Sequence, residues 1–339
     1  MSFVRMTSFL LGVQSLIWVS GCASAGGAGV KQTTERAMSC LRYYLPYEHS
    51  ATARVQALES LAECGSDEVL PWIRLALNDD SPAVRFAAAM ALGQRDDRTS
   101  INTVKKLLAS GEVSDQIAAA GSLHMMGDTS ASGKLAEYLF SRSDPNAPHH
   151  AAFVLGRLGE PGANKILARV VTSPDPGLRS NALESMAMLG SKEAKATLVA
   201  NLYNGLGPEE TFALTVLGHL RDQQYHQIFL DKLATAQHLE TKLAAARALG
   251  QLGDAKGFDL AMSSLSYTAK KDEKNDPAAN QTFRVRQLAA TTLGAIGDRR
   301  AVAPLESMMN DADDPRLQIA AAKALMDILG PKHKKQRMQ

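Results

Sequence analysis

An apolar residue returns at one point of a recurring pattern nine times along the chain, at Leu61, Leu92, Leu123, Leu155, Met186, Leu217, Leu249, Leu293 and Leu325. The steps between these anchors are 31, 31, 32, 31, 31, 32, 44 and 32 residues, a period that marks a repeat architecture. Four residues before every anchor stands an alanine, from Ala57 to Ala321. The residue just before the anchor is small or β-branched, as in Ser60, Ala91, Val154 and Thr292, and three residues after it most units carry another apolar side chain, such as Leu158, Leu189 or Ile296. These offsets share one face of a helix, and the alanine lets a neighbouring helix approach closely.

A second helix precedes this one in each unit, as in the stretches 68–75 and 301–308. Pro71 and Pro304 both fall 21 residues before their anchors, early in that helix, where proline is tolerated. Asp80-Ser81-Pro82, Asp144-Pro145, Asp175-Pro176 and Asp314-Pro315 supply turns between the two helices. Gly65, Gly127, Gly159, Gly190, Gly253 and Gly297 all stand four residues past an anchor, where glycine suits the left-handed conformation that ends a helix. The Gly250 and Gly253 of the stretch 242–254 therefore end a helix and do not cradle a phosphate, because a phosphate loop follows a strand and occurs once. The pattern predicts an all-α fold: a right-handed α-solenoid of about nine helical hairpins over residues 33–331, each of 31 or 32 residues. Stacked at ~10 Å per pair, the hairpins would form a curved rod ~90 Å long.

The stretches 313–325 and 284–298 resemble HEAT repeats of the short bacterial kind, which are similar to the repeats of phycobilin lyases and of deoxyhypusine hydroxylase. The resemblance extends over nearly all of 33–330 and implies the solenoid; it implies little about function, because this fold hosts unrelated tasks. A hydroxylase of that kind holds two irons with His-Glu pairs, and no His-Glu dipeptide occurs here. A lyase of the phycobilin kind would be a soluble protein beside pigment-bearing partners.

The first residues fit that soluble setting poorly. Arg5, an apolar run from about Met6 to Val19 and a small-residue end form a secretory signal layout, too short for a comfortable transmembrane helix. Val19-Ser20-Gly21-Cys22 resembles the lipobox of bacterial lipoproteins, which implies cleavage after residue 21 and acylation of Cys22; an ordinary cleaved signal with an accidental cysteine is the alternative. Residues 22–32 read as a flexible tether. No aspartate follows Cys22, which by the family's sorting habit points to the periplasmic face of the outer membrane. Two thiols remain, Cys40 and Cys64; in an antiparallel hairpin they stand ~13 Å apart along the axis, too far for a disulfide.

Composition narrows the partners. Thirty-seven Lys and Arg against 35 Asp and Glu leave a formal charge of +2, too little to draw the body to nucleic acid. The column seven residues before the anchor carries Arg54, Arg85, Arg179, Arg286 and Lys242, which reads as a salt-bridge ladder with the turn aspartates or as an anion-binding stripe, and breaks at Gln116, Pro148, Glu210 and Gln318. The histidines are scattered along the chain apart from His149 and His150, whose side chains leave one helix ~100° apart, so no metal site is expected, and no motif requires a cofactor.

Six before, two before and two after the anchor lie on one stripe of the second helix, off its buried face, and there the chemistry varies. Phe86, Met90, Met125, His149, Phe153 and Arg157 are the candidate protein-binding groove, with Ile117 and Gly121 between them. Elsewhere the stripe carries Glu59, Glu63, Glu184, Arg247, Gln251, Lys323 and Asp327. An insertion within about 266–282 accounts for the step of 44 and reads as polar and disordered, and residues 332–339 form a basic tail. Together these features predict a non-catalytic, lipid-anchored scaffold that binds protein partners through a concave groove; a cofactor-handling protein and a spacer without ligand are the competing readings.

Overall fold

The computed structural model describes residues 27–273 and 276–330, so the expected signal peptide, Cys22 and the basic tail lie outside the described residues. Eighteen α-helices follow one another in pairs: α1 (Gly27–Tyr43) and α2 (Ala51–Glu63), α3 (Leu70–Leu75) and α4 (Pro82–Gln94), α5 (Ile101–Leu108) and α6 (Val113–Met125), α7 (Gly133–Leu139) and α8 (Ala147–Arg157), α9 (Ala163–Leu167) and α10 (Pro176–Met188), α11 (Lys192–Asn204) and α12 (Gly207–His219), α13 (His226–Thr235) and α14 (Leu239–Gln251), α15 (Phe258–Ser264) and α16 (Ala278–Ile296), α17 (Val302–Asp311) and α18 (Pro315–Leu329). The architecture is the α-solenoid that the spacing predicts, and all nine anchors are buried in one continuous core.

The ends of the helices follow from the turn chemistry. The Asp175 and Asp314 carboxylates accept backbone N–H groups at the start of α10 and α18, and proline opens both helices. Gly65, Gly127, Gly159, Gly190, Gly253 and Gly297 all have positive φ, between 72° and 95°. Asp96 and Arg221 complete the same column, four residues past Leu92 and Leu217, and adopt φ of 48° and 53° without being glycine.

The solenoid does not run out as an open rod. Each even-numbered helix packs on the next, and the last of them, α18, packs on the first, α2, while α1 lies along α18 and reaches α17. The expectation of a ~90 Å rod is thereby corrected: the nine hairpins close into a ring, with the even helices inside and the odd helices outside. At the seam Thr33 and Arg36 bond to Glu306, and the Tyr44 hydroxyl donates to Gln318 Oε1 at 2.5 Å. Tyr138 donates to Gln116 in the same way between two consecutive units. Tyr44 and Tyr138 both stand 17 residues before their anchors, and Gln318 and Gln116 both stand 7 before theirs. The ends of the chain therefore meet in the register of an ordinary joint between neighbours.

Five of the nine inner joints hold a glycine one residue past the anchor. A Cβ added at Gly93, Gly156, Gly218, Gly250 or Gly294 would come within 3.0 Å of the facing helix's backbone. Facing four of them is the small residue just before the next anchor, Ser122, Ser185, Ala248 or Ala324, which explains why that column stays small. The α2–α4, α6–α8, α10–α12 and α18–α2 joints carry Ala62, His124, Ala187 and Met326 instead and pack more loosely, α10–α12 most loosely of all.

Two boundaries differ from expectation. Helix α1 begins at Gly27, so residues 27–32 belong to the first helix and not to the tether. The insertion, expected to be disordered over 266–282, is ordered in its described residues: α16 starts at Ala278, and the described part of the loop folds back on it. Arg284 Nη2 pairs with Asp276 at 2.7 Å, Gln281 donates to the Lys271 and Asp276 carbonyls, and Asp272 accepts the Ala278 N–H. Polar contacts within the loop supply the order that its missing apolar residues would otherwise provide.

Candidate functional site

Nine inner axes ~9 Å apart lie on a circle ~26 Å across, which leaves ~15 Å between the helix surfaces. Into this lumen points the stripe of variable residues. On one side the Phe86 ring lies 4.8 Å from His150 and 6.1 Å from Phe153, centre to centre. The Arg157 guanidinium covers Phe153 at 3.9 Å and reaches Glu184 of the next helix at 3.3 Å. On the other side Lys323 Nζ bonds Asp327 at 2.6 Å and Glu63 at 3.0 Å, and Arg247 contacts His219 at 3.3 Å.

The two sides feel each other. Burial and the charge of Glu63 raise the Glu59 carboxyl above its usual range, partly offset by Arg157 three hairpins away. Burial pushes His219 down to about 4, and Arg247 pushes the same way. Burial lowers Arg247 and raises Asp327. It works against the Lys323 ammonium too, but Asp327 and Glu63 outweigh it and raise that group. The pair is unequal because one ammonium serves two carboxylates. Glu59, Glu63, His219 and Asp327 remain open to water although protein crowds them, as the inside of a narrow lumen requires.

The sequence-derived groove residues divide. Phe86, Phe153 and Arg157 come together, and Met125 is half-buried with its methyl beside Gly93. Met90 is not exposed: it is 4% accessible and belongs to the continuous core, its sulfur beside Gly121 of the neighbouring inner helix. His149 turns away to the rim, where Nε2 meets Asp175 Oδ2 at 2.8 Å. The backbone N–H of Leu178 and then His149 hold that carboxyl below its usual range. His150 and His219 belong to the lumen, although their scatter in sequence reads as surface; His219 stands on the stripe itself, two residues past Leu217, and His150 one residue after a stripe position, and these places are the signal available.

The column seven before the anchor turns out to clasp a turn. Arg54 donates to the carbonyls of Tyr47 and His49, Arg85 to those of Asp79 and Asp80, and Arg179 to those of Ser173 and Pro174. Gln116 and Gln318 do the same work, donating to the Ser110 and Ala312 carbonyls at 2.6 Å. Ladder pairs exist as well: Arg54 reaches Asp79 at 2.7 Å and Arg85 reaches Asp115 at 2.9 Å, all four side chains largely buried. Burial raises the Asp79 carboxyl, but the Ser81 N–H and Arg54 overcome this and lower it.

No disulfide joins Cys40 to Cys64; burial lifts both thiols to about 11, and the Cys64 thiol donates to the Ser60 carbonyl. Among the described residues no group of three or more His, Cys, Asp or Glu is placed to hold a metal ion, and no helix is long and apolar enough to cross a membrane.

The sequence profile described as HEAT repeats matches residues 44–124, 133–208 and 278–336, more than half of the chain. A search of curated proteins finds no significant match. Similar solved structures include the complex of CpcE and CpcF of phycocyanin lyase from Nostoc sp. PCC7120, at 18% identity and a TM-score of 0.42, covering 83% of this chain and 99% of that one. Human deoxyhypusine hydroxylase in complex with glycerol is similar at 18% identity and a TM-score of 0.38, covering 89% and 99%. YibA of E. coli is similar at 13% identity and a TM-score of 0.35, covering 78% and 94%. At these values the likenesses assign no activity to the chain.

Proposed function

The chain belongs to the HEAT-repeat family, and from that premise we propose that it is a non-catalytic scaffold, anchored by lipid at Cys22 in the bacterial cell envelope, that holds a protein partner. The observation that carries this reading is the contrast within each repeat. Anchor, alanine and end-of-helix positions barely change from unit to unit, whereas the lumen stripe runs from Phe86 and Phe153 to Glu59, Arg157, Arg247 and Lys323. Packing explains the constant positions; the variable ones have the mixed aromatic and charged chemistry of a protein-binding surface.

The anchor is supported by Val19-Ser20-Gly21-Cys22 and by geometry. The α1 helix starts at Gly27, so the intervening residues reach at most ~18 Å and would hold the ring close to the bilayer, at the periplasmic face of the outer membrane. Tyr44, after the end of α1, meets Gln318, near the start of α18, so these helices are antiparallel and Gly27 and Gly330 leave from one face of the ring.

A photo-crosslinking residue in place of Arg157, in cells that make the full-length protein, tests both parts. The reading expects capture of a protein that the same residue at Lys195 on outer helix α11 does not capture, and loss of membrane association on Cys22→Ala. Equal capture from both positions, or a wild-type chain found in the soluble fraction, would sink it.

A further inference from the structure

The charges of the lumen do not pair off evenly. Where α18 meets α2, the one ammonium of Lys323 serves both Asp327 and Glu63. Elsewhere on the wall two guanidiniums are left short of acceptors. Arg247 forms no ion pair among the described residues: its Nη2 meets His219 Nε2 at 3.3 Å, and Glu63 and Asp327 act on it without touching it. Burial keeps that imidazole neutral near pH 7, so it accepts the N–H without countering the charge. Arg157 pairs with Glu184 at 3.3 Å, lies over the Phe153 ring and keeps a buried Nη1 with no partner.

The two arginines border one part of the lumen, since after burial Arg247 and Arg157 both press the His219 titration downward. Glu59 does not cancel them: it too lacks an ion pair, but burial and the charge of Glu63 favour its neutral form. Beside Arg157 stand the half-buried rings of Phe86 and Phe153, 6.1 Å apart. A crowded guanidinium short of acceptors is costly, and a carboxylate, whose two oxygens match its planar fork, satisfies it best. Closure limits what can bring a carboxylate in. A lumen ~15 Å wide admits an extended chain, ~10 Å across with its side chains, and a chain enters a closed ring by a free end.

We infer that the lumen captures the C-terminal end of a partner polypeptide: the terminal carboxylate bonds Arg247 and Arg157, and an apolar last side chain packs on Phe86 and Phe153. This rests on the scaffold reading and says which part of the partner the ring holds. Charge complementarity selects the C-terminus, because an N-terminal ammonium would meet the same two cations and be repelled. Turning the Arg157 fork toward the ligand gives up one 3.3 Å bond and supplies Nη1 with an acceptor.

Affinity selection tests this on the mature ring, made without its lipid as Cys22→Ala. The probe is a pool of N-acetylated nonapeptides of random sequence, supplied in equal amounts as C-terminal acids and C-terminal amides, and mass spectrometry reads which are retained. Acids are expected over amides by at least about tenfold, the factor that one charge-assisted hydrogen bond supplies, with apolar last residues enriched. Arg247→Gln, which keeps a polar side chain and removes the charge, lowers that preference to below about twofold, whereas Lys195→Gln on outer helix α11 leaves it unchanged. Equal retention of acids and amides, retention of neither, or a preference that survives Arg247→Gln overturns the inference. Should Arg247→Gln fail to fold, the comparison of acids with amides on the wild-type ring decides alone. The peptides need no cell, membrane or native partner, so failure here leaves the scaffold reading to its own crosslinking test. A native protein crosslinked at Arg157 through an internal segment would uphold that reading and end this one.

Discussion

Arg221 ends α12 at φ 53°, in a column where six other inner helices use glycine. A left-handed residue with a Cβ is strained by roughly 1–2 kcal/mol, and glycine returns ~0.5–1 kcal/mol of that as extra freedom in the unfolded chain. Arg221→Gly is therefore expected to stabilise the protein by about 0.5–1 kcal/mol and raise the melting temperature by ~1–3 °C, whereas Arg221→Ala, which keeps the Cβ, gains nothing. Differential scanning calorimetry of the two variants beside the wild type checks this. The glycine column was legible in the sequence because glycine announces its conformation; Arg221 and Asp96 were not, since their residue types do not. Gln116 and Gln318 break the arginine column in sequence for a related reason: a sequence column displays charge, and the property these glutamines share with Arg54, Arg85 and Arg179 is an N–H aimed at a carbonyl five to seven residues back. Met90 lies in the core and not in the groove because the neighbouring inner helix α6 covers it, a contact between helices that its column in the sequence does not show.

Between elements, small residues set how closely the inner helices approach. A Cβ at Gly156 would lie 2.7 Å from Ser185 Cα and 2.5 Å from its Cβ, so α8 and α10 would have to separate. Gly156→Ala gains up to ~1 kcal/mol of helix propensity and loses ~1–3 kcal/mol to overpacking, and the second effect is expected to win. Urea denaturation should show a net loss of about 1–2 kcal/mol, and Ser185→Gly in the same chain should recover part of it by relieving the facing contact. A gain in stability from Gly156→Ala alone would mean that the joint is not held by close approach. The nine hairpins, their anchors and their turns were readable because each unit repeats one local solution. The order of the insertion loop was not, because it rests on polar bonds such as Arg284 to Asp276 that leave no apolar period.

Closure belongs to the whole molecule, and no single repeat reveals it. A period of 31 or 32 fixes how one hairpin sits on the next, while small differences among nine joints decide whether the ninth reaches the first. A trace of it does stand in the sequence: Tyr44 and Gln318 occupy the two columns that Tyr138 and Gln116 fill one joint apart, so the end faces are matched as neighbours are. Closure also recasts the stripe of variable residues, since side chains that would line an open groove face each other, and Glu59 feels Arg157 from across the lumen. Small-angle X-ray scattering of the mature chain, made without its lipid as Cys22→Ala, tests the ring most directly. A closed chain of this length is expected to have a radius of gyration of about 20 Å, by the scaling of compact domains. A rod ~90 Å long would give about 28 Å and a maximum dimension near its full length, and that result would contradict the ring.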